Sequence, residues 1–106
     1  MARETTVNYS ASSAQQRNAL VQHATSGELY VIREAAVWDG DQCTGTQIIA
    51  SAGPIYHGDL PYHTGESATP ELFDAIDNWH VEQGPDAEWL QAEMGAGRLA
   101  YRIGAR

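Results

Sequence analysis

Residues 28–52 read ELYVIREAAVWDGDQCTGTQIIASA, and this stretch decides the fold class. Its first half, from Glu28 to Trp38, is rich in β-branched and aromatic side chains and is apolar on both alternate faces near its start, the pattern of a central strand. Asp39-Gly40 follows, a pair that tolerates the positive φ of a tight chain reversal. TQIIASA, residues 46–52, is then the returning strand of a hairpin. Gly53-Pro54 interrupts that strand, because Pro has no N–H for the ladder, and Ile55 to His57 continue it only past a bulge.

Upstream of the hairpin, AQQRNALVQHAT (residues 14–25) carries Ala14, Leu20, Val21 and Ala24 as a narrow apolar stripe. Ser12 or Ser13 offers a capping oxygen and Gly27 a left-handed stop, so a helix is expected near 13–25. Thr5 to Tyr9 reads either as a short edge strand or as a disordered lead. Downstream, Gly58 to Thr69 lacks a periodic apolar set and forms the longest loop. Thr69-Pro70 starts a helix expected over 70–82, with Thr as cap and Pro in the first turn, where no amide proton is needed. On it Leu72, Phe73, Ile76 and Trp79 share one sector, opposite Glu71, Asp74, Asp77, Asn78 and Glu82. Gly84-Pro85 separates it from a second helix near 86–94, whose Asp86 and Glu88 suit the positive end of the helix dipole. Its Trp89, Leu90 and Met94 make a less regular stripe, with Trp89 fitting it least. RLAYRI, residues 98–103, alternates strictly and reads as a half-buried strand of the same sheet. The expectation is one α+β domain over 1–106: a small antiparallel sheet of about four strands, built on hairpin 28–52 and strand 98–103, with helices near 13–25, 70–82 and 86–94 packed on one side.

The 106 residues carry a formal charge of −8, from 14 acidic residues against 6 basic ones. All six cations are Arg, and none lies between Glu34 and Gly97, a segment that holds twelve carboxylates. Such a field repels nucleic acid and anionic membrane and attracts basic protein surfaces. Direct nucleic-acid binding is disfavoured because its phosphate-neutralising term is missing. No run approaches the roughly 18 apolar residues of a spanning helix. MARETTVNYS lacks the apolar stretch of a secretory signal, and the lone Cys43 has no partner for an internal disulfide. A cytoplasmic protein with no cofactor is expected.

Within the cation-free segment, carboxylates three and four apart on a helix repel one another by a few tenths of a kcal/mol, roughly, for each pair. No Lys or Arg relieves that repulsion. A basic partner gives one reason for this, and Glu71, Asp74, Asp77, Glu82, Asp86, Glu88 and Glu93, with Trp89 as aromatic anchor, are the candidate partner-binding residues. Arg/Lys-rich grooves are commonest on proteins that handle nucleic acid, so the leading expectation is a non-catalytic module that docks on such a protein and inhibits or regulates it. In size and charge alone, the chain is similar to the small acidic inhibitors that phages make against host defence nucleases; no motif carries the comparison.

Two other readings stay open. The loop YHGDLPYHTGE places His57, Asp59, His63 and Glu66 close together, a donor set that suits zinc, iron or nickel, or acid–base work. Its H-x-D-x3-H spacing matches no zinc signature. Alternatively the chain is a structural or homodimerising module whose acidity serves solubility. Cys43 has neither a CxxC partner nor an adjacent His, and there is no G-x-S-x-G elbow, phosphate-binding glycine loop or Lys for Schiff-base chemistry.

Overall fold

A computed structural model describes residues 16–61 and 69–103 of the chain. In order, these form β1 (Gln16–His23), β2 (Leu29–Asp39), β3 (Gln42–Ile55), a 3-10 turn (His57–Asp59), α1 (Pro70–Asp77), α2 (Pro85–Gly95) and β4 (Leu99–Ile103). The strands make one antiparallel sheet in the order β3-β2-β1-β4. The fold is therefore α+β, with the expected central hairpin, C-terminal strand and two later helices.

The helix expected near 13–25 is instead a strand over the residues described, and the capping serines and Thr5–Tyr9 lie outside them. The run Asn18-Ala19-Leu20-Val21 explains the difference. All four are buried, on both faces of β1, because β1 sits between β2 and β4 with packing above and below. A short apolar run of this kind does not distinguish a buried strand from a helix by periodicity, and burial between two neighbours selects the strand. Gly27, read as a helix stop, does adopt positive φ (74°), but it closes the turn from β1 to β2, donating to the His23 carbonyl over 2.8 Å.

The helices also do not share one side of the sheet. Leu20, Leu29, Val31 and Ile55 pack with Leu60, Leu72 and Ile76, so α1 covers one face. Their immediate neighbours Ala19, Val21, Tyr30 and Ile32 point the other way and pack with Ile48, Ala87 and Leu90, so α2 covers the opposite face. Residues 78–84 carry the chain from one face to the other around the outer edge of β3. There the backbone groups of Ser51 and Glu82 exchange two hydrogen bonds of 3.1 Å. The Gln91 side chain accepts from the Ile48 amide a little further along the same edge, at 2.7 Å.

Thr69 caps α1 as its sequence implies, its hydroxyl oxygen accepting from the Leu72 amide at 3.2 Å. The helix stops at Asp77 rather than near 82, and Trp79 and Val81 reach the apolar cluster from the segment that follows. Asn18 of β1 receives the helix end. Its buried Nδ2 donates to the Ile76 carbonyl at 2.8 Å and lies 3.4 and 3.3 Å from those of Asp77 and Trp79. Its Oδ1 accepts from Arg33 Nε at 3.1 Å. Carbonyls left without helical partners thus meet an amide from the sheet, with a guanidinium behind it that favours the negative end of the helix dipole.

β3 continues through Gly53-Pro54 to Ile55, with its register against β2 shifting between Leu29 and Val31. Gly53 lies at φ +146°, and a Cβ there would stand 2.6 Å from the Tyr30 ring and 3.0 Å from the Leu29 carbonyl.

Two stability outcomes follow. Asn18→Ala strands carbonyls at the buried end of α1 and should cost about 1–3 kcal/mol, read as a lower urea midpoint with an unchanged denaturant slope. Gly53→Ala combines a disfavoured φ with displacement of the Tyr30 ring and should cost a similar ~1–3 kcal/mol. Unfolding curves superimposable on that of the parent chain would contradict either assignment.

Candidate functional site

α2 begins at Gly84-Pro85, and its Ala87, Leu90 and Met94 turn toward the sheet. Asp86, Trp89 and Glu93, spaced three and four apart, consequently line one flank of the helix. That flank lies over the ends of β1 and β2, where His23 and Tyr30 project from the same face of the sheet as Val21 and Ile32. The Trp89 indole stacks on the His23 ring, with centroids 5.1 Å apart and planes 19° apart. Tyr30 meets the indole at 65°, 5.9 Å away. Even so, Trp89 keeps 42% of its surface exposed.

His23 is buried and held on both ring nitrogens. Nδ1 accepts from the backbone amides of Thr25 and Ser26, at 3.2 and 3.3 Å. Nε2 therefore bears the proton and donates to Glu93 Oε1 at 3.0 Å. The other Glu93 oxygen accepts from Arg98, through Nε at 2.7 Å and through Nη2. Hydrogen bonding to Arg98, followed by that to His23, holds the Glu93 carboxyl below the usual glutamate range despite its partial burial. An imidazole held at both ring nitrogens thus supports the indole, and Arg98 is engaged by Glu93.

Two carboxylates, Glu28 and Asp86, act on Tyr30. The Tyr30 hydroxyl donates to Glu28 Oε1 at 3.4 Å. Burial first, then the charge of Glu28, its hydrogen bond and the charge of Asp86, push the Tyr30 phenol above its ordinary pKa. Each of these charges is negative.

The eight residues expected to bind a partner do not form one ridge. Glu71, Asp74 and Asp77 belong to α1 and stand exposed on one face of the molecule. Asp86, Glu88 and Trp89 belong to α2 on the other. Glu82 lies at the β3 edge between them, its backbone bonded to Ser51 and its carboxylate 3.1 Å from His80 Nε2. Glu88 faces outward, beside a groove it shares with Gln47, Ile49 and Gln91. Glu93 is turned inward, with only 12% of its side chain exposed, and serves the internal pairs just described.

Of the loop residues considered for metal binding, Asp59 accepts from the Tyr56 amide at 3.2 Å and closes the 3-10 turn that contains His57. His63 and Glu66 lie outside the described residues. Among the described residues, no three His, Cys, Asp or Glu side chains gather in a cluster able to hold a metal ion. Cys43 is exposed near the hairpin tip. No helix among the described residues is long and apolar enough to cross a membrane. Away from the flank, Glu34 is buried beneath Tyr101, whose hydroxyl donates to it. Burial and this carboxylate push the Tyr101 phenol well above its ordinary value.

His23, Tyr30 and Glu28 are the members of the flank that the sequence left out. The signal was present: once 16–23 is a strand, alternation puts His23 on the side of Ala19 and Val21. Compared with known proteins, the chain matches no family model, no curated protein and no solved structure.

The Glu93 pairs make acid stability a direct test. A carboxyl whose pKa is lowered by folding stabilises the fold above its unfolded value, near 4.5, and loses that contribution as pH falls through the lower folded value. Glu93→Gln should lower the melting temperature at pH 7, and the gap to the parent chain should narrow as pH drops from 5 toward 2. A gap constant over that range would show that the ionised carboxylate contributes nothing.

Proposed function

We propose that the chain is a non-catalytic docking module whose α2 face binds a basic surface of another protein. The observation that carries this reading is Trp89, a half-exposed indole on a rigid ring platform, rimmed by Glu28 and Asp86, with Glu88 further round the helix. Large aromatic side chains anchor interfaces because they bury much area at little entropic cost, and surrounding charges select the partner and speed its approach. The unrelieved acidity from Glu34 to Gly97 supplies that steering field.

Basic grooves of the required kind are found on proteins that bind nucleic acid. An acidic module seated in such a groove displaces the nucleic acid and so inhibits the enzyme that owns it. This is the mode of action we assign, and the one by which a small acidic inhibitor would disarm a defence nuclease. The α1 carboxylates, on the far side of the sheet, add to the long-range field and stay outside the contact.

Capture with the chain as bait, identification of the bound protein and measurement of its affinity test the reading together. The partner should be basic, and its affinity should fall at least tenfold between 50 and 500 mM salt. Reversing Asp86 and Glu88 to Lys should weaken it more than tenfold, whereas reversing Asp74 and Asp77 should cost less than threefold. Nucleic acid should compete with the chain for that partner. A partner of acidic surface, salt-insensitive binding, or equal losses from the two charge reversals would overturn the proposal.

A further inference from the structure

The α2 flank has the composition of a seat for one particular side chain. The stack of His23 on Trp89 and the angled approach of Tyr30 fix the indole, so its exposed part is a rigid aromatic surface and not a mobile side chain. Glu28 accepts from the Tyr30 hydroxyl, and Asp86 stands three residues before Trp89 on the same flank of α2, so both carboxylates belong to the surround of this ring pair. Arg98 gives Nε and Nη2 to Glu93, and among the described residues no cation forms an ion pair with Glu28 or Asp86. A π surface beside uncompensated carboxylates attracts a cation on both counts, first through the ring quadrupole and then through direct pairing.

Resting on the docking reading above, we propose that the partner inserts an arginine into this flank, its guanidinium stacked on Trp89 and hydrogen-bonded to Glu28 and Asp86. Arginine fits better than lysine for physical reasons. A guanidinium is planar, weakly hydrated and carries five donors, so it stacks on a ring and pairs with carboxylates at its edge in one pose. An ammonium is a compact, strongly hydrated charge that gives up more water to reach a half-exposed indole. The platform is already in place in the free chain, with the His23 tautomer set by Thr25, Ser26 and Glu93, so the arginine meets a surface that needs no rearrangement.

The test uses the full chain, uniformly labelled with 15N, titrated with hexa-arginine and separately with hexa-lysine at low salt. The three indole N–H resonances are followed, and that of Trp89 is assigned by its loss in Trp89→Phe or, should that variant fold poorly, by cross-relaxation to the His23 ring. Hexa-arginine should bind at least fivefold tighter than hexa-lysine and should shift the Trp89 indole resonance more than the other two. Trp89→Leu should remove the preference for arginine and leave the weaker, salt-sensitive binding common to both peptides. Asp86→Asn should weaken hexa-arginine binding at least threefold, while Asp74→Asn should leave the preference unchanged. Equal, salt-sensitive affinities with an unmoved Trp89 resonance would overturn the arginine seat and leave the acidic docking surface standing. Failure of both peptides to bind at low salt would overturn the docking reading and this inference with it.

Discussion

Two adjacent strands that are apolar on both sides impose the architecture of this protein. Ala19, Leu20 and Val21 in β1, with Tyr30, Val31 and Ile32 in β2, send successive side chains to opposite faces, and all six are buried. Neither face can be left to water without exposing several large side chains, at about 1.5–3 kcal/mol for each. A single helical layer would satisfy only half of that demand. The chain therefore divides its helices, placing α1 over Leu20 and Val31 and α2 over Val21 and Ile32, and it must run residues 78–84 around the edge of the sheet to do so. Asn18 and Gln91 complete the attachments by giving backbone groups at the two margins a polar partner.

That division also decides what the acidic residues can do. Read along the chain, Glu71 to Glu93 is one uninterrupted acidic segment; in space it is two faces and an edge. Glu93, the last of the set, is turned inward to Arg98 and His23 and supports the ring on which Trp89 stacks. On the docking reading proposed above, the surface contracts to Glu28, Asp86, Glu88 and Trp89, and it recruits Glu28 from a turn that lies outside the cation-free segment altogether.

Much of this was legible in the sequence where local chemistry sufficed. The Asp39-Gly40 reversal, the Thr69-Pro70 helix start and the alternation of Leu99 to Ile103 each express a requirement of a few neighbouring residues, and each element forms where that requirement points. The failures share a different cause. Whether NALV becomes helix or strand depends on β2 and β4 lying alongside it, and where α1 ends depends on Asn18, 58 residues away. The flank was hidden for the same reason: His23, Tyr30 and Trp89 come from three elements and Glu28 from the turn between β1 and β2, and their proximity exists only once α2 has been assigned to its face of the sheet. Trp89 itself could be singled out, because a residue that fits its helix's apolar stripe poorly has to be accommodated elsewhere.

The strap of chain at 78–84 has one more effect. β3 is an edge strand, and an edge strand offers bare amide and carbonyl groups to any other extended chain, the first step toward ladder-by-ladder aggregation. Here Glu82 occupies the backbone positions of Ser51, and Gln91 takes the amide of Ile48. The segment of β3 richest in apolar side chains, around Ile48, Ile49 and Ala50, is thus closed to a foreign strand by the same connection that carries the chain between the faces. The route imposed by two-sided burial doubles as a guard against polymerisation at that edge.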